Sequence, residues 1–186
     1  MNKKKLTKAI IFAACAMLLV VGTVIGTVAY LTAKTETKTN TFTFGDINIT
    51  LKESSSTNSK IVPGVDLDEN PNVTVVKNSE ECWLFVKLDE QNSFEDFLTY
   101  TIADNWTELT AGSGVYYRLV AFNETTDQTF DILKGNKVTA KTDITKESFK
   151  TLTEATYPKL AITAYAVQKA GFADAAAAWV EAKKLG

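Results

Sequence analysis

The chain has 186 residues, 20 basic against 22 acidic side chains, a net charge of −2 at neutral pH, and no histidine. Without histidine it cannot build a Ser-His-Asp or Cys-His nucleophile system, nor the H-E-x-x-H zinc site of metalloproteases. Arg118 is the only arginine, and phosphate binding needs a clustered basic surface, so we expect no nucleic-acid partner.

The first 33 residues have the features of an export signal. Four lysines precede an apolar run from Ala9 to Val21, and Thr27 and Ala29 supply the small side chains that a signal peptidase accepts. We predict cleavage between Ala29 and Tyr30, which makes residues 1–29 a signal peptide and the protein secreted. An uncleaved membrane anchor is the alternative, because no residue from 9 to 31 is charged and about 20 apolar residues can span a bilayer.

Cleavage at this position removes 29 of the 186 residues and leaves 157, a usual size for one domain. With the four leader lysines gone, 16 basic residues remain against 22 acidic ones, a net charge of −6. Cys82 is then the only cysteine, so no disulfide can form within the chain. We expect an inert, buried thiol there.

Residues 30–44 are predicted to form an extension that precedes a single domain of residues 45–186. Thr35, Thr37, Thr39, Thr41 and Thr43 fall on one side of a two-residue period, which is typical of a strand. Within residues 35–44, only Phe42 and Phe44 offer an apolar surface to bury. Such a strand is weakly fixed in register until another strand pairs with it.

The domain then reads as a series of short strands. Gly45 marks a change of phase before a strand containing Ile47, Ile49 and Leu51. Residues 52–60 form a polar loop, and Val62-Pro63-Gly64 predicts a turn. Residues 73–77 and 83–88 are predicted to be two strands joined as a hairpin.

The second half of the chain continues this pattern. Phe94 to Tyr100 is predicted to be a short helix with Ser93 as its N-cap. Residues 106–109 and 115–122 form an antiparallel pair around a Gly-Ser-Gly turn, and further strands follow at 138–139 and 159–167. An alanine-rich stretch, 173–185, predicts a C-terminal helix. We therefore expect a mainly β fold, an antiparallel sandwich of two sheets resembling a jelly roll, with a mixed α+β domain as the alternative.

The oxygen-rich run from Asp66 to Asn72 contains the one candidate metal site. Asp66, Asp68 and Asn70 could bind a hard cation such as calcium, but Pro71 and Lys77 do not fit an EF-hand loop. A solvated turn whose side chains bond their own backbone is the preferred interpretation. We predict no metal and no cofactor.

Seven aromatic residues could line a sugar-binding surface, although aromatic residues in strands more often form core and cross-strand pairs. They are Trp83, Phe85, Trp106, Tyr116, Tyr117, Phe122 and Tyr165. Carboxylate pairs are expected by chance among 22 acidic residues, and no titratable constellation stands apart. We therefore expect no enzymatic activity.

Several segments, in this order, resemble the TasA and camelysin family, whose leaders are cut by the signal peptidase SipW. The similar segments are residues 26–32, 42–53, 62–64, 73–78, 83–87, 164–172 and 178–179. They cover about the first 90 and the last 30 residues. The resemblance implies a jelly-roll domain exported by a Gram-positive bacterium and able to assemble into biofilm-matrix fibres.

In the fibre-forming relatives, the N-terminal segment of one subunit completes a sheet of the next. Residues 31–44 suit this role, because a strand without its own buried face gains backbone hydrogen bonds at a neighbour's sheet edge. Head-to-tail addition of this kind does not close and therefore yields filaments. The metallopeptidase activity attributed to camelysin is not carried over, because the chain has no histidine.

We therefore expect a secreted, self-associating structural protein of the extracellular matrix or cell surface. Its partners would be the signal peptidase during export, further copies of the chain, and other matrix components. The first alternative is a monomeric surface adhesion or carbohydrate-binding module. A camelysin-like metallopeptidase is the second.

Overall fold

The computed structural model describes residues 45–53, 60–150 and 152–185. The described strands are β1 (Ile49–Lys52), β2 (Asp66–Asp68), β3 (Asn72–Val75), β4 (Cys82–Gln91), β5 (Leu98–Thr99), β6 (Thr107–Glu108), β7 (Val115–Val120), β8 (Gln128–Asp131), β9 (Lys137–Ala140) and β10 (Lys159–Gln168). The helices are α1 (Phe94–Phe97) and α2 (Ala175–Ala182), with 3₁₀ turns at Lys134–Asn136, Glu154–Thr156 and Lys183–Leu185.

The described strands form three antiparallel sheets. A central sheet has the order β10-β4-β7-β6, and two smaller sheets have the orders β1-β3-β8 and β2-β9-β5. This confirms the predicted mainly β, antiparallel fold with a short C-terminal helix. The small sheets and one face of the central sheet share a single core, which gives the sandwich-like arrangement.

Strand β4 is the centre of the domain because both of its faces are buried. Leu84 and Val86 lie in the core shared with the small sheets, while Phe85, between them in sequence, faces helix α2. All three side chains have no exposed surface. The run of β-branched, leucine and aromatic residues in β4 is typical of a strand covered on both sides.

Helix α2 covers the second face of the central sheet with small residues. Ala175, Ala178 and Ala182 are buried against it, and the Asp174 side chain caps the helix by accepting a hydrogen bond from the Ala177 N–H at 2.8 Å. The predicted C-terminal helix is therefore confirmed over a slightly shorter range. Alanines let the helix approach the sheet closely, which leaves room for one large side chain, Trp179.

The aromatic residues on this face form core pairs. The rings of Phe85 and Trp179 lie 5.2 Å apart, those of Tyr165 and Trp179 5.4 Å apart, and those of Trp83 and Tyr117 5.9 Å apart. Aromatic pairs at such separations stabilise a core beyond the area that they bury. Of the seven candidates for a sugar-binding surface, Trp83, Phe85, Tyr117 and Tyr165 are therefore better explained as core residues.

The predicted hairpin of residues 73–77 and 83–88 is wrong. Strand β3 pairs with β1 and β8, whereas β4 pairs with β10 and β7. Val73 and Val75 on β3 and Leu84 on β4 face the same core from different sheets. The connection between β3 and β4 therefore leads from one sheet to the other. The buried Ser79 hydroxyl in this connection accepts a hydrogen bond from the Asn48 N–H at 3.1 Å, which holds it against the start of β1.

The predicted helix from Phe94 to Tyr100 is confirmed only in its first turn. Leu98 pairs with Ala140 as part of strand β5, so the helix ends at Phe97. Ser93 has a left-handed backbone, with φ of 53°, and its side chain makes no capping hydrogen bond. The pairing of β5 with β9 outweighs the local preference for helix.

The predicted pair around Gly112-Ser113-Gly114 is confirmed by the pairing of β6 with β7. Gly114 has a φ of +65°, and a Cβ atom at this position would lie 2.6 Å from the Leu88 carbonyl oxygen. The Gly114 carbonyl also accepts a hydrogen bond from the Leu88 N–H at 2.8 Å. Glycine is therefore required for this close approach of the turn to β4.

We expect Gly114→Ala to lower the free energy of unfolding by about 2–4 kcal/mol, because it combines a left-handed backbone with a clash against backbone. Gly112→Ala is the matched control, since Gly112 has a similar φ of +73° but nothing within 4 Å of its would-be Cβ. It should lose only about 1–2 kcal/mol. Urea unfolding of both variants measures the difference, and equal losses would show that the contact with Leu88 is unimportant.

Candidate functional site: an apolar groove beside an open sheet edge

An open groove with a volume of about 1020 Å³ lies beside the first half of β10. We call it the β10 groove. Its apolar lining comes from distant parts of the chain, including Leu67, Phe94, Leu133, Phe149, Leu160 and Ile162. Leu67, Phe149, Leu160 and Ile162 are only partly buried, so they are the apolar side chains that a further segment could cover.

Strand β10 forms one edge of the central sheet. Within the described part of the chain, it pairs with β4 along its whole length and has no other hydrogen-bonded strand, although β1 lies close to it. It is 10 residues long, and after Lys159 it carries no charged residue. Long edges of this kind are normally covered, interrupted or charged, because their free N–H and C=O groups attract other strands.

The side chains of β10 alternate between the core and the outer face. Leu160 and Ile162 pack against the shared core and line the β10 groove, while Ala161 and Thr163 are exposed on the other face. A strand added beside β10 would extend this alternation. One set of its side chains would then enter the groove.

On the other side of β4 from β10, a cation–π contact joins two sheets. The guanidinium of Arg118, on β7, lies 3.8 Å from the ring centroid of Phe130 on β8 and 5.4 Å from that of Trp106. Burial lowers the pKa of Arg118, and stacking on aromatic faces compensates the charge. The only arginine of the chain thus joins the central sheet to the sheet of β1, β3 and β8.

The domain begins at the end of the central sheet that lies farthest from the groove. The Asp46 carbonyl accepts a hydrogen bond from the Glu80 N–H at 3.0 Å, beside the start of β4. In the register of β4 and β10, Cys82 lies opposite Gln168 at this end, whereas Gln91 lies opposite Lys159 at the groove. Ten residues of strand separate the two ends by about 30 Å.

Two carboxylates line the β10 groove, Glu53 and Glu69. Burial raises the pKa of Glu69, and the nearby charge of Glu53 raises it further. Lys60 and Lys159 line the same groove. The groove therefore has an apolar floor with charges of both signs.

The predicted cleavage site and the predicted donor strand lie outside the described residues. These are Thr27, Ala29 and Tyr30 of the cleavage site, and Thr35, Thr37, Thr39, Thr41, Phe42, Thr43 and Phe44 of the strand. Both remain predictions. The described part begins at Gly45, directly after the donor segment.

The candidate calcium ligands lie on strand β2 and directly after it. Asp66 and Asp68 lie on strand β2, not in the irregular turn that the sequence predicted. Asp66 binds the Lys137 ammonium and accepts a hydrogen bond from the Thr139 hydroxyl at 2.7 Å. The Asn70 side-chain oxygen is buried without a hydrogen-bond partner. Among the described residues, no group of three His, Cys, Asp or Glu side chains is placed to hold a metal.

The hydrogen bonds from Lys137, and next from Thr139, lower the pKa of the Asp66 carboxyl below its ordinary value of 3.8. A carboxyl with a lowered pKa stabilises the folded state above its unfolded pKa, and this contribution is lost as the pH falls through the folded pKa. We expect Asp66→Asn to be less stable than the parent at pH 7. The two unfolding curves should converge as the pH falls below the lowered pKa of the folded state, and a difference that persists in acid, where the carboxyl is protonated, would exclude the ionised carboxylate as its cause.

Cys82 is confirmed as a buried residue, with no exposed surface. Burial raises the pKa of its thiol to about 11, and the charge of Glu81 adds to the shift. The thiolate is the reactive form, so this cysteine is inert at neutral pH.

The described residues form an antiparallel β domain in which the long strand β10 is at the edge of the central sheet. Comparison with protein-family models, curated proteins and solved structures finds no match for this chain. The resemblance to the TasA and camelysin family therefore rests on the sequence segments alone. Within the described residues, no helix is long and apolar enough to span a membrane.

Proposed function

We propose that this protein is a secreted structural subunit that assembles into extracellular filaments by donating its N-terminal strand to the next copy. The observation that carries the proposal is the outer edge of β10, which pairs with no second strand among the described residues and lies beside an apolar groove. An added strand would satisfy the backbone groups of the edge and cover the groove. The predicted donor segment, residues 31–44, precedes the first described residue directly.

The positions of the two features favour donation between subunits. The chain enters the domain at one end of the central sheet, and the groove lies at the other end. In a head-to-tail row, the extension of one subunit therefore starts next to the groove of its neighbour. Such a contact is heterologous and repeats without closing, which produces a filament.

The proposal gives the chain a place outside the cell and no catalytic role. The family resemblance is the basis for proposing a Gram-positive biofilm matrix as the location. It is also the basis for proposing other matrix components and the signal peptidase as partners. Removal of residues 1–29 would free the extension, so assembly would be coupled to export.

Electron microscopy of the chain starting at Tyr30 tests this function. Filaments are the expected result. Dispersed particles at all concentrations would contradict it, and if these particles bound glycans in an array, they would favour a monomeric carbohydrate-binding module.

A further inference from the structure

We propose that Phe42 and Phe44 are the two side chains that anchor the donated strand, by entering the β10 groove of a second copy of this chain. The inference rests on the proposed function and adds to it the residues that recognise the groove. It predicts that assembly depends on these two phenylalanines and not on the neighbouring Thr41 and Thr43.

The alternation of side chains along a strand separates the extension into two faces. Phe42 and Phe44 are two residues apart in the sequence, so in a donated strand they would share one face, and Thr41 and Thr43 would share the other. In a strand added beside β10, one face must lie on the side of Leu160 and Ile162, which line the groove. The apolar face of the extension is the one that gains by leaving water.

The groove is large enough to hold both phenylalanine side chains. A volume of about 1020 Å³ exceeds the space that two phenylalanine side chains occupy, so both can enter together with part of the strand backbone. The lining supplies a further aromatic contact, because it includes the partly buried Phe149. Residues 35–40 offer no apolar side chain to this lining.

The first test compares two double variants of the chain starting at Tyr30. Phe42→Ala/Phe44→Ala removes the proposed anchors, and Thr41→Ala/Thr43→Ala is the matched control on the opposite face. We expect the phenylalanine variant to raise the critical concentration for assembly at least about tenfold, as loss of a buried interface anchor does. The threonine variant should change it less than about threefold, since surface substitutions cost little.

The second test places cysteines in separate preparations, so that only contacts between molecules can form a disulfide. One preparation carries Phe42→Cys and the other carries Leu160→Cys or Ile162→Cys, and Cys82 does not interfere because it is buried. We expect a cross-linked dimer on mixing under mild oxidation, because disulfides need Cα atoms within about 7 Å. Thr43→Cys in place of Phe42→Cys should give little cross-link.

Filaments of Phe42→Ala/Phe44→Ala at an unchanged critical concentration would overturn the inference. So would the absence of a cross-link from Phe42→Cys to both groove positions, or an equal yield from Thr43→Cys. The proposed function fails separately, if a chain that lacks residues 1–44 still forms filaments. These results distinguish a wrong anchor from a wrong mechanism of assembly.

Discussion

A chain that starts at Gly45 is expected to fold and to remain monomeric, whereas the chain that starts at Tyr30 forms filaments. The shared core is built from residues 47–166, and the second core from residues 83–182. Both sets of residues belong to the described part of the domain. Removing the extension therefore takes away the strand that other copies would bind and leaves the described packing in place.

Sedimentation at several concentrations and electron microscopy measure the effect, and circular dichroism with a thermal melt verifies the fold. A chain that starts at Lys38 is a useful control, because it loses eight of the fifteen extension residues and keeps Phe42 and Phe44. It should assemble better than the chain that starts at Gly45. Filaments from a folded chain without the extension would disprove strand donation.

Phe85→Ala is expected to cause the largest loss of stability of any single core truncation on the helix-facing side. Phe85 has no exposed surface and packs against Trp179 at 5.2 Å and Tyr117 at 6.3 Å. Truncation leaves a cavity between the central sheet and α2, and such changes cost about 3–5 kcal/mol. For a domain of this size, the melting temperature should fall by about 6–20 °C.

The exposed Phe122 is the matched control, because 52% of its surface is accessible to solvent. Phe122→Ala should change the free energy of unfolding by less than about 0.5 kcal/mol. Denaturant unfolding of the two variants, both made in the chain that starts at Gly45 to avoid assembly, gives the comparison. Similar values for both would mean that α2 does not cover Phe85 in solution.

The sequence predicts the individual strands well where local chemistry determines them. Strands β4, β7 and β10 coincide with runs of β-branched and aromatic residues, and the hairpin of β6 and β7 follows from its glycine turn. The C-terminal helix follows from alanine content and the capping Asp174. These are signals that a single segment carries by itself.

The partition of strands among sheets could not be predicted in the same way. Whether β3 pairs with β4 or with β1 and β8 depends on contacts such as the hydrogen bond between the Thr74 and Thr129 hydroxyls at 2.8 Å. The partners are 55 residues apart in the chain. A pattern within one segment does not contain this information, and the strand β2 was missed for the same reason.

The sequence predicts one of the two parts of the candidate site, the N-terminal extension, but not the β10 groove. The extension is predicted to be a donor strand because its alternating threonines lack a buried face, and this is a property of the segment itself. The groove is not predicted, because Leu67, Leu133 and Leu160 come together only in the folded domain. Phe149 and Leu152, two apolar residues in a polar stretch, were the available signal for its outer wall.

Amide hydrogen exchange of the chain that starts at Tyr30 tests the central claim most directly. Residues 35–44 should exchange freely in dispersed subunits and become protected in filaments, together with the amides of β10 that do not bond to β4. The account would be contradicted if residues 35–44 were equally protected in dispersed subunits at low concentration. Such protection would mean that each extension pairs within its own molecule.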